Sequence, residues 1–190
     1  MAEPADTLEF REVTPERWSN LAQLFEARDG PSYCWCMAWR RSGGGDNASK
    51  RDALRRVVEQ GTPIGLLAYE AGESVEWCSI APHESYLKPS GLAEAASVAM
   101  WSVVCFYAQR RLRRQGVAAR LFRAAVELAL SRGADIVEGY TVDADSPSYR
   151  FMGLRSTFAA AGFEEVARAG SRRYVARLSL KSAAGNAGRS

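Results

Sequence analysis

Arg110, Arg111, Arg113 and Arg114 crowd one short turn, and Gln115, Gly116, Val117 and Ala118 follow them into a long amphipathic run. A basic turn that feeds a helix has a definite physical use. The first amides of a helix lack intrahelical acceptors, and the aligned peptide dipoles leave partial positive charge there. Anions settle readily on such a terminus. Glycine at 116 lets the backbone approach a ligand with no Cβ in the way, and Ala118 keeps the next contact small. The guanidinium groups add charge and fork-shaped donors suited to phosphate oxygens. These residues suit a diphosphate cradle. They form neither a GxxxxGK[ST] loop nor a GxGxxG fingerprint. On spacing alone, a solvated surface turn accounts for the same residues.

Two acids stand inside apolar runs: Glu138 in ADIVEGYTV and Glu76 in SVEWCSI. A carboxylate is uncommon at such positions. Once desolvated it holds its proton more tightly and can serve as a general base near neutral pH. Glu138 is expected to face a cleft together with Tyr140, two positions on along the same strand face; a structural ion pair with one of the many arginines fits it as well. Glu76 is the second candidate. His83, the single histidine, falls in a loop where a surface position is expected. Cys34, Cys36, Cys78 and His83 could be imagined around zinc, but no second tight ligand pair accompanies Cys34-Trp35-Cys36, so no metal is expected. Tyr33, Trp35 and Trp39 can wall a pocket or fill a core.

The elements that must position these residues follow from periodicity and punctuation. Leu8 to Glu12 alternates as a strand, and Thr14-Pro15-Glu16 opens a helix bearing Trp18, Leu21, Leu24 and Phe25 on one stripe. A second helix spans about 48–60. Ile64–Tyr69 and Ser74–Ile80 form a hairpin around Glu70-Ala71-Gly72-Glu73. Trp101–Ala108 is strongly β. Val117–Arg132 is helical, with Val117, Leu121, Ala124 and Leu128 on the apolar face and Gly133 as its stop. Ile136–Val142 is a strand, about 149–161 a helix, and Phe163–Arg168 with Arg173–Leu180 a last strand pair. The order is mixed α/β, in a single domain over 1–190 with frayed ends at about 1–6 and 182–190.

The chain has 190 residues, 47% of them hydrophobic and 25% charged, the composition of an ordinary globular domain. A formal net charge of +3, without aromatic and basic residues interleaved, argues against a nucleic-acid binder. No apolar h-region opens the sequence, and no run approaches a membrane span. A cytoplasmic location is expected, with the four cysteines reduced and no membrane partner.

Arg113, Gly116 and Ala118 after Phe106-Tyr107-Ala108, then a long helix, the strand ADIVEGYTV, and a helix closing on Gly162-Phe163, resemble the GNAT superfamily of acetyl-CoA-dependent N-acetyltransferases. The hairpin GLLAYEAGESVEWCSI is similar to that family's as well, and the likeness covers roughly 8–180. It implies a mostly antiparallel central sheet with a splayed parallel strand pair and helices on both faces. It implies acetyl-CoA as cosubstrate, its pantetheine arm along Phe106, Tyr107 and Ala108, and its pyrophosphate on amides of Arg114, Gln115, Gly116, Val117 and Ala118, with Arg113 leading the cradle. Arg110, Arg111 and Arg120 would reach outer phosphates or stay solvated. The expected reaction is direct attack by a primary amine of a small molecule; a protein or peptide amine is the alternative, and a homodimer is compatible with the family. The departures from the pattern are Phe158, where the family carries a tyrosine that protonates the leaving thiolate, and Phe151 in place of an asparagine. Tyr149, Ser156 and Thr157 are the hydroxyls nearby. A catalytically silent CoA-binding sensor therefore stays open.

Overall fold

The computed structural model describes residues 8–40, 45–87, 92, 98–113 and 115–180. The expected frayed ends, most of the glycine loop after Arg40 and Arg114 lie outside these residues. The strands are β1 (Glu9–Glu12), β2 (Leu66–Glu70), β3 (Glu73–Pro82), β4 (Met100–Ala108), β5 (Ile136–Thr141), β6 (Glu164–Ala169) and β7 (Arg173–Ser179). The helices are α1 (Trp18–Glu26), α2 (Asn47–Glu59), α3 (Val117–Ser131) and α4 (Arg155–Ala160). One seven-stranded sheet runs in the order β1-β2-β3-β4-β5-β7-β6. Every neighbouring pair is antiparallel except β4 with β5. The expected mixed sheet with one parallel pair is the architecture observed.

Two apolar layers sandwich the sheet. On one face, Leu21, Leu24 and Phe25 of α1 and Leu54 and Val58 of α2 pack with Trp35 against Trp77, Val104 and Tyr140. On the other, Leu121, Phe122, Ala125 and Ala129 of α3 and Phe158 of α4 pack against Cys78, Ile80 and Val137. The stripe on α1 is the expected one. That on α3 is rotated: Phe122, Ala125 and Ala129 are buried, whereas Ala124 and Leu128 are only half-buried. Phe122 decides this, because its ring packs at a tilt on Phe158 at 4.4 Å and Phe163 at 5.3 Å, and aromatic burial outweighs that of alanine.

The helix starts differ in detail from the sequence expectation. Thr14 leads into a 3-10 turn over Pro15–Arg17 and makes no side-chain cap to the backbone. Asp46 does cap α2, accepting from the Ser49 amide at 2.8 Å. The helix expected over 149–161 is broken into a 3-10 turn, Arg150–Met152, and the short α4. Gly153 separates them with φ of 112°, a conformation other residues rarely adopt, and Leu154 bridges to Val142 instead.

Candidate functional site

The parallel pairing of β4 with β5 is brief. Met100 to Val103 pair with Ile136 to Gly139, and there the ladder stops. β5 continues beside β7 as far as Thr141, and β4 continues beside β3 as far as Ala108. From Val104 onward β4 therefore has no strand on its β5 side, and its polar backbone groups there look into a split. Unsatisfied strand-edge groups of this kind accept an extended ligand as an added strand.

A cavity of about 1020 Å³ opens from this split and includes Phe106, Tyr107, Ala108, Arg113, Gly116 and Ala118 among its lining residues. The volume sits at the upper end of the range for ligand sites. Arg113 donates to the Ala108 carbonyl at 3.4 Å, which closes the turn between strand and helix. Gly116 takes φ of 76°, and an added Cβ there would meet nothing within 4 Å. The first bond of α3 runs from the Arg120 amide to the Gly116 carbonyl at 3.3 Å. The amides of Val117, Ala118 and Ala119 precede it and have no acceptor within the helix. Gln115 turns its side chain back to the Arg111 carbonyl at 2.7 Å, and Val117 is buried beneath the turn. The Gln115 amide donates to the Leu112 carbonyl at 3.3 Å, so of these two residues only Val117 could offer an amide to a ligand. Arg111 pairs with Glu70, and Arg110 lies 3.6 Å from Asp29.

The two candidate acids separate cleanly. Glu76 lines the cavity. It is 1% exposed, neither carboxylate oxygen has a hydrogen-bond partner, and desolvation pushes its pKa up to about 7. It stands on β3 opposite Ala108, the last residue of the unpaired β4 edge. Glu138 does not line the cavity, which corrects the expectation that it faces the cleft with Tyr140. Its carboxylate is fully buried and held on both oxygens: the Tyr140 hydroxyl donates to Oε1 at 2.5 Å, and Arg177 Nε and Nη2 each donate to Oε2 at 2.7 Å. Arg177 is the cross-strand partner of Glu138 on β7. His83, expected at the surface, is buried and joins this network through Ser102, Nδ1 to Oγ at 2.6 Å. The network locks the sheet below the split. Removing Arg177 leaves a buried charge uncompensated, so Arg177→Met is expected to lower unfolding free energy by about 3 kcal/mol in a urea titration.

Phe158 has no hydroxyl to offer, and its ring is fixed by packing. It fills the space that both Gly139 and Gly153 leave open: a Cβ at Gly139 would fall 2.0 Å from Phe158 Cε1, and one at Gly153 would fall 2.5 Å from Cε2. Phe106 meets the same ring edge-on at 6.3 Å. Of the three nearby hydroxyl residues, only Thr157 lines the cavity. Sequence reasoning undervalued Thr157 and Glu76, and it passed over Arg150 and Asp29, which the cavity also includes.

Tyr33, Cys34, Cys36 and Trp39 line the cavity, while Trp35 belongs to the core. The Trp77 indole donates to Cys36 Sγ at 3.0 Å, and a hydrogen bond with Cys105, together with burial, raises the Cys36 thiol pKa well above its ordinary value. Among the described residues no group of His, Cys, Asp and Glu is arranged to hold a metal ion, and no helix is long and apolar enough to cross a membrane.

The model of the acetyltransferase (GNAT) family matches residues 10–155. Solved structures of the same shape include a Drosophila melanogaster polyamine N-acetyltransferase, 15% identical with a TM-score of 0.58, over 92% of this chain and 100% of that one. A ribosomal-protein-alanine N-acetyltransferase from Brucella melitensis is 16% identical with a TM-score of 0.57, over 90% and 99%. PaiA N-acetyltransferase from Thermoplasma acidophilum, in complex with coenzyme A, is 11% identical with a TM-score of 0.57, over 92% and 99%. No curated protein matches in sequence. At these identities the structures speak for the fold, whereas the family model spans the hairpin, the split strand pair and the arginine turn, and on that match the chain belongs to the GNAT acetyltransferase family.

Proposed function

We propose that the protein transfers an acetyl group from acetyl-CoA to a primary amine of a small molecule by direct attack. The observation that carries this reading is the split beyond Val103 and Gly139, open along β4 and ending at the free amides of α3. Amides of Gly116, Val117 and Ala118 would hold the pyrophosphate at the positive end of the helix. Phe106, Tyr107 and Ala108 would offer their backbone to the pantetheine arm as a neighbouring strand does. Both features fit an elongated acyl thioester whose diphosphate lies at one end.

Acetyl-CoA supplies an activated carbonyl, and the protein supplies the proton traffic. Most amines are protonated at neutral pH and cannot attack until they lose that proton. Glu76, with its raised pKa, would accept it inside the cavity. An amide on the open edge of β4 would stabilise the negative charge that develops on the carbonyl oxygen. The C–N bond forms, the C–S bond breaks, and the products are the N-acetylated amine and the CoA thiol. The Thr157 hydroxyl, which lines the cavity, would hydrogen-bond the departing sulfur where Phe158 cannot. A thiolate leaves readily without a strong acid, so Thr157→Val is expected to lower kcat by no more than about tenfold, with Thr157→Ser restoring it, in a thiol-release assay.

A calorimetric titration with coenzyme A followed by thiol release over a panel of primary amines tests the proposal. Heat on adding CoA together with amine-dependent thiol release is the expected result. CoA binding with no release over the whole panel would instead favour the silent sensor.

A further inference from the structure

We propose that Cys105 and Cys36 form a thiol–disulfide exchange site for a disulfide of coenzyme A, reducing it to two thiols while they close into a Cys36–Cys105 disulfide. This rests on the coenzyme A reading of the cavity and gives the cavity a second use. Three of the four cysteines, Cys34, Cys36 and Cys105, line it, and all are free thiols. They stand in series: Cys34 is hydrogen-bonded to Cys36, and Cys36 to Cys105. The series joins two parts of the chain remote in sequence. Cys105 lies on β4, whereas Cys34 and Cys36 lie in the loop after α1. Cys78 is buried outside the lining.

The loop carries its sulfur inward on an uncommon backbone. Trp35 and Cys36 both take left-handed conformations, with φ of 48° and 50°, which residues with a side chain rarely adopt. Both side chains are buried. The Trp77 indole, which donates to Cys36 Sγ at 3.0 Å, would stabilise a thiolate there. Along the series, the bond to Cys36 raises the Cys34 thiol and the bond to Cys105 raises the Cys36 thiol. A hydrogen bond raises the thiol that donates it. Cys105 is thus the accepting end of the series and the sulfur placed to attack first.

The sulfur of coenzyme A would arrive at that end. With the pyrophosphate beyond Ala108, an arm along Ala108, Tyr107 and Phe106 runs back towards the closed end of the split. The next residue of β4 is Cys105, two positions before the ladder closes at Val103 and Gly139. A thiolate attacks one sulfur of a disulfide and displaces the other. Cys105 would bond to the sulfur of the coenzyme A held along β4, and the other half would leave as a thiol, taking up the Cys105 proton. Cys36 then attacks the Cys105 sulfur. The bond from Cys105 to coenzyme A breaks, and the second thiol leaves with the Cys36 proton. Two electrons pass from the protein to the ligand: one coenzyme A disulfide and two protein thiols give one protein disulfide and two coenzyme A thiols.

Coenzyme A disulfide added to the fully reduced chain, followed by thiol counting, intact mass and peptide mapping, tests the inference. Two coenzyme A thiols released per chain and a mapped Cys36–Cys105 bond are expected, both reversed by dithiothreitol. Glutathione disulfide at equal concentration should react about 100-fold more slowly, since nothing of it would be held in the cradle, and excess acetyl-CoA should slow the reaction of coenzyme A disulfide. In Cys36→Ser the exchange should stop after one thiol, with coenzyme A retained on Cys105. A bond mapped to Cys34 or Cys78, coenzyme A retained on the wild type, or equal rates with glutathione disulfide would overturn the inference, and the wild-type mapping requires no variant to fold. So would a protein that gives heat with coenzyme A and leaves its disulfide intact. Absence of heat with coenzyme A itself would instead remove the reading beneath, which keeps the two failures apart.

Discussion

Gly116→Glu is expected to abolish coenzyme A binding while the protein stays folded. The fold survives because space is available: nothing lies within 4 Å of a Cβ built at Gly116. The cost is conformational, since φ of 76° suits glycine, and a side chain there loses about 1 kcal/mol. A domain of this size has roughly 5–15 kcal/mol in hand. The melting temperature should fall by only a few degrees, about 2–4 °C per kcal/mol. The effect on the ligand is of another order. A carboxylate at the start of α3 draws on the same amides and the same dipole that would hold the pyrophosphate, and it repels that anion directly. Like charges brought together at a binding surface cost several kcal/mol, so affinity should drop by about a thousandfold or more. Calorimetry on the folded variant reads this without any assumption about the acceptor. Unchanged affinity would put the nucleotide somewhere other than the turn.

The turn was legible in the sequence because its information is local. Arginines, a glycine and a small residue are adjacent in the chain, and a strand and a helix flank them on periodicity alone. The same holds for the hairpin around Ala71 and Gly72 and for the order of elements. The two acids show where local information ends. Glu76 and Glu138 each sit mid-strand among apolar residues, and in the sequence nothing distinguishes them. Register does. The antiparallel ladder of β5 with β7 sets Arg177 opposite Glu138, and that pairing joins residues remote in sequence. Glu76 falls opposite Ala68 on β2 and Ala108 on β4, neither of which can neutralise it. One carboxylate is thereby committed to holding the sheet together, and the other is left bare in the cavity. The rotation of α3 and the break at Gly153 have a similar origin. The ring of Phe158 sits in the gap that Gly139 and Gly153 leave, and Phe122 turns to meet it. Helical periodicity carries no record of that partnership.

Glu76→Gln is expected to lower kcat by about 10²- to 10⁴-fold, the usual worth of a positioned base, and to leave CoA affinity unchanged. The amide keeps the shape of the side chain but cannot take a proton. In the wild type, kcat/KM should rise with pH and level off above about 7, as the carboxylate ionises. The variant should lack that inflection. Stability supplies an independent check through linkage. Burial raises the pKa of Glu76 from 4.5 to about 7, so between these values the folded state holds a proton that the unfolded state has lost. Unfolding free energy in the wild type therefore falls as pH rises from about 4.5 to 7 and is flat above. Glu76→Gln carries no such ionisation. Its stability relative to the wild type should be unshifted by pH below about 4.5, and should gain roughly 2 kcal/mol by pH 8, the full pKa difference being reduced by solvent in the open cavity. A variant that is slow and yet more stable at alkaline pH is the signature of a strained, desolvated base, the trade of stability for reactivity that active sites make. A full-rate variant would remove Glu76 from the chemistry, and one with no alkaline gain in stability would mean that its carboxylate ionises as freely in the folded protein as in water.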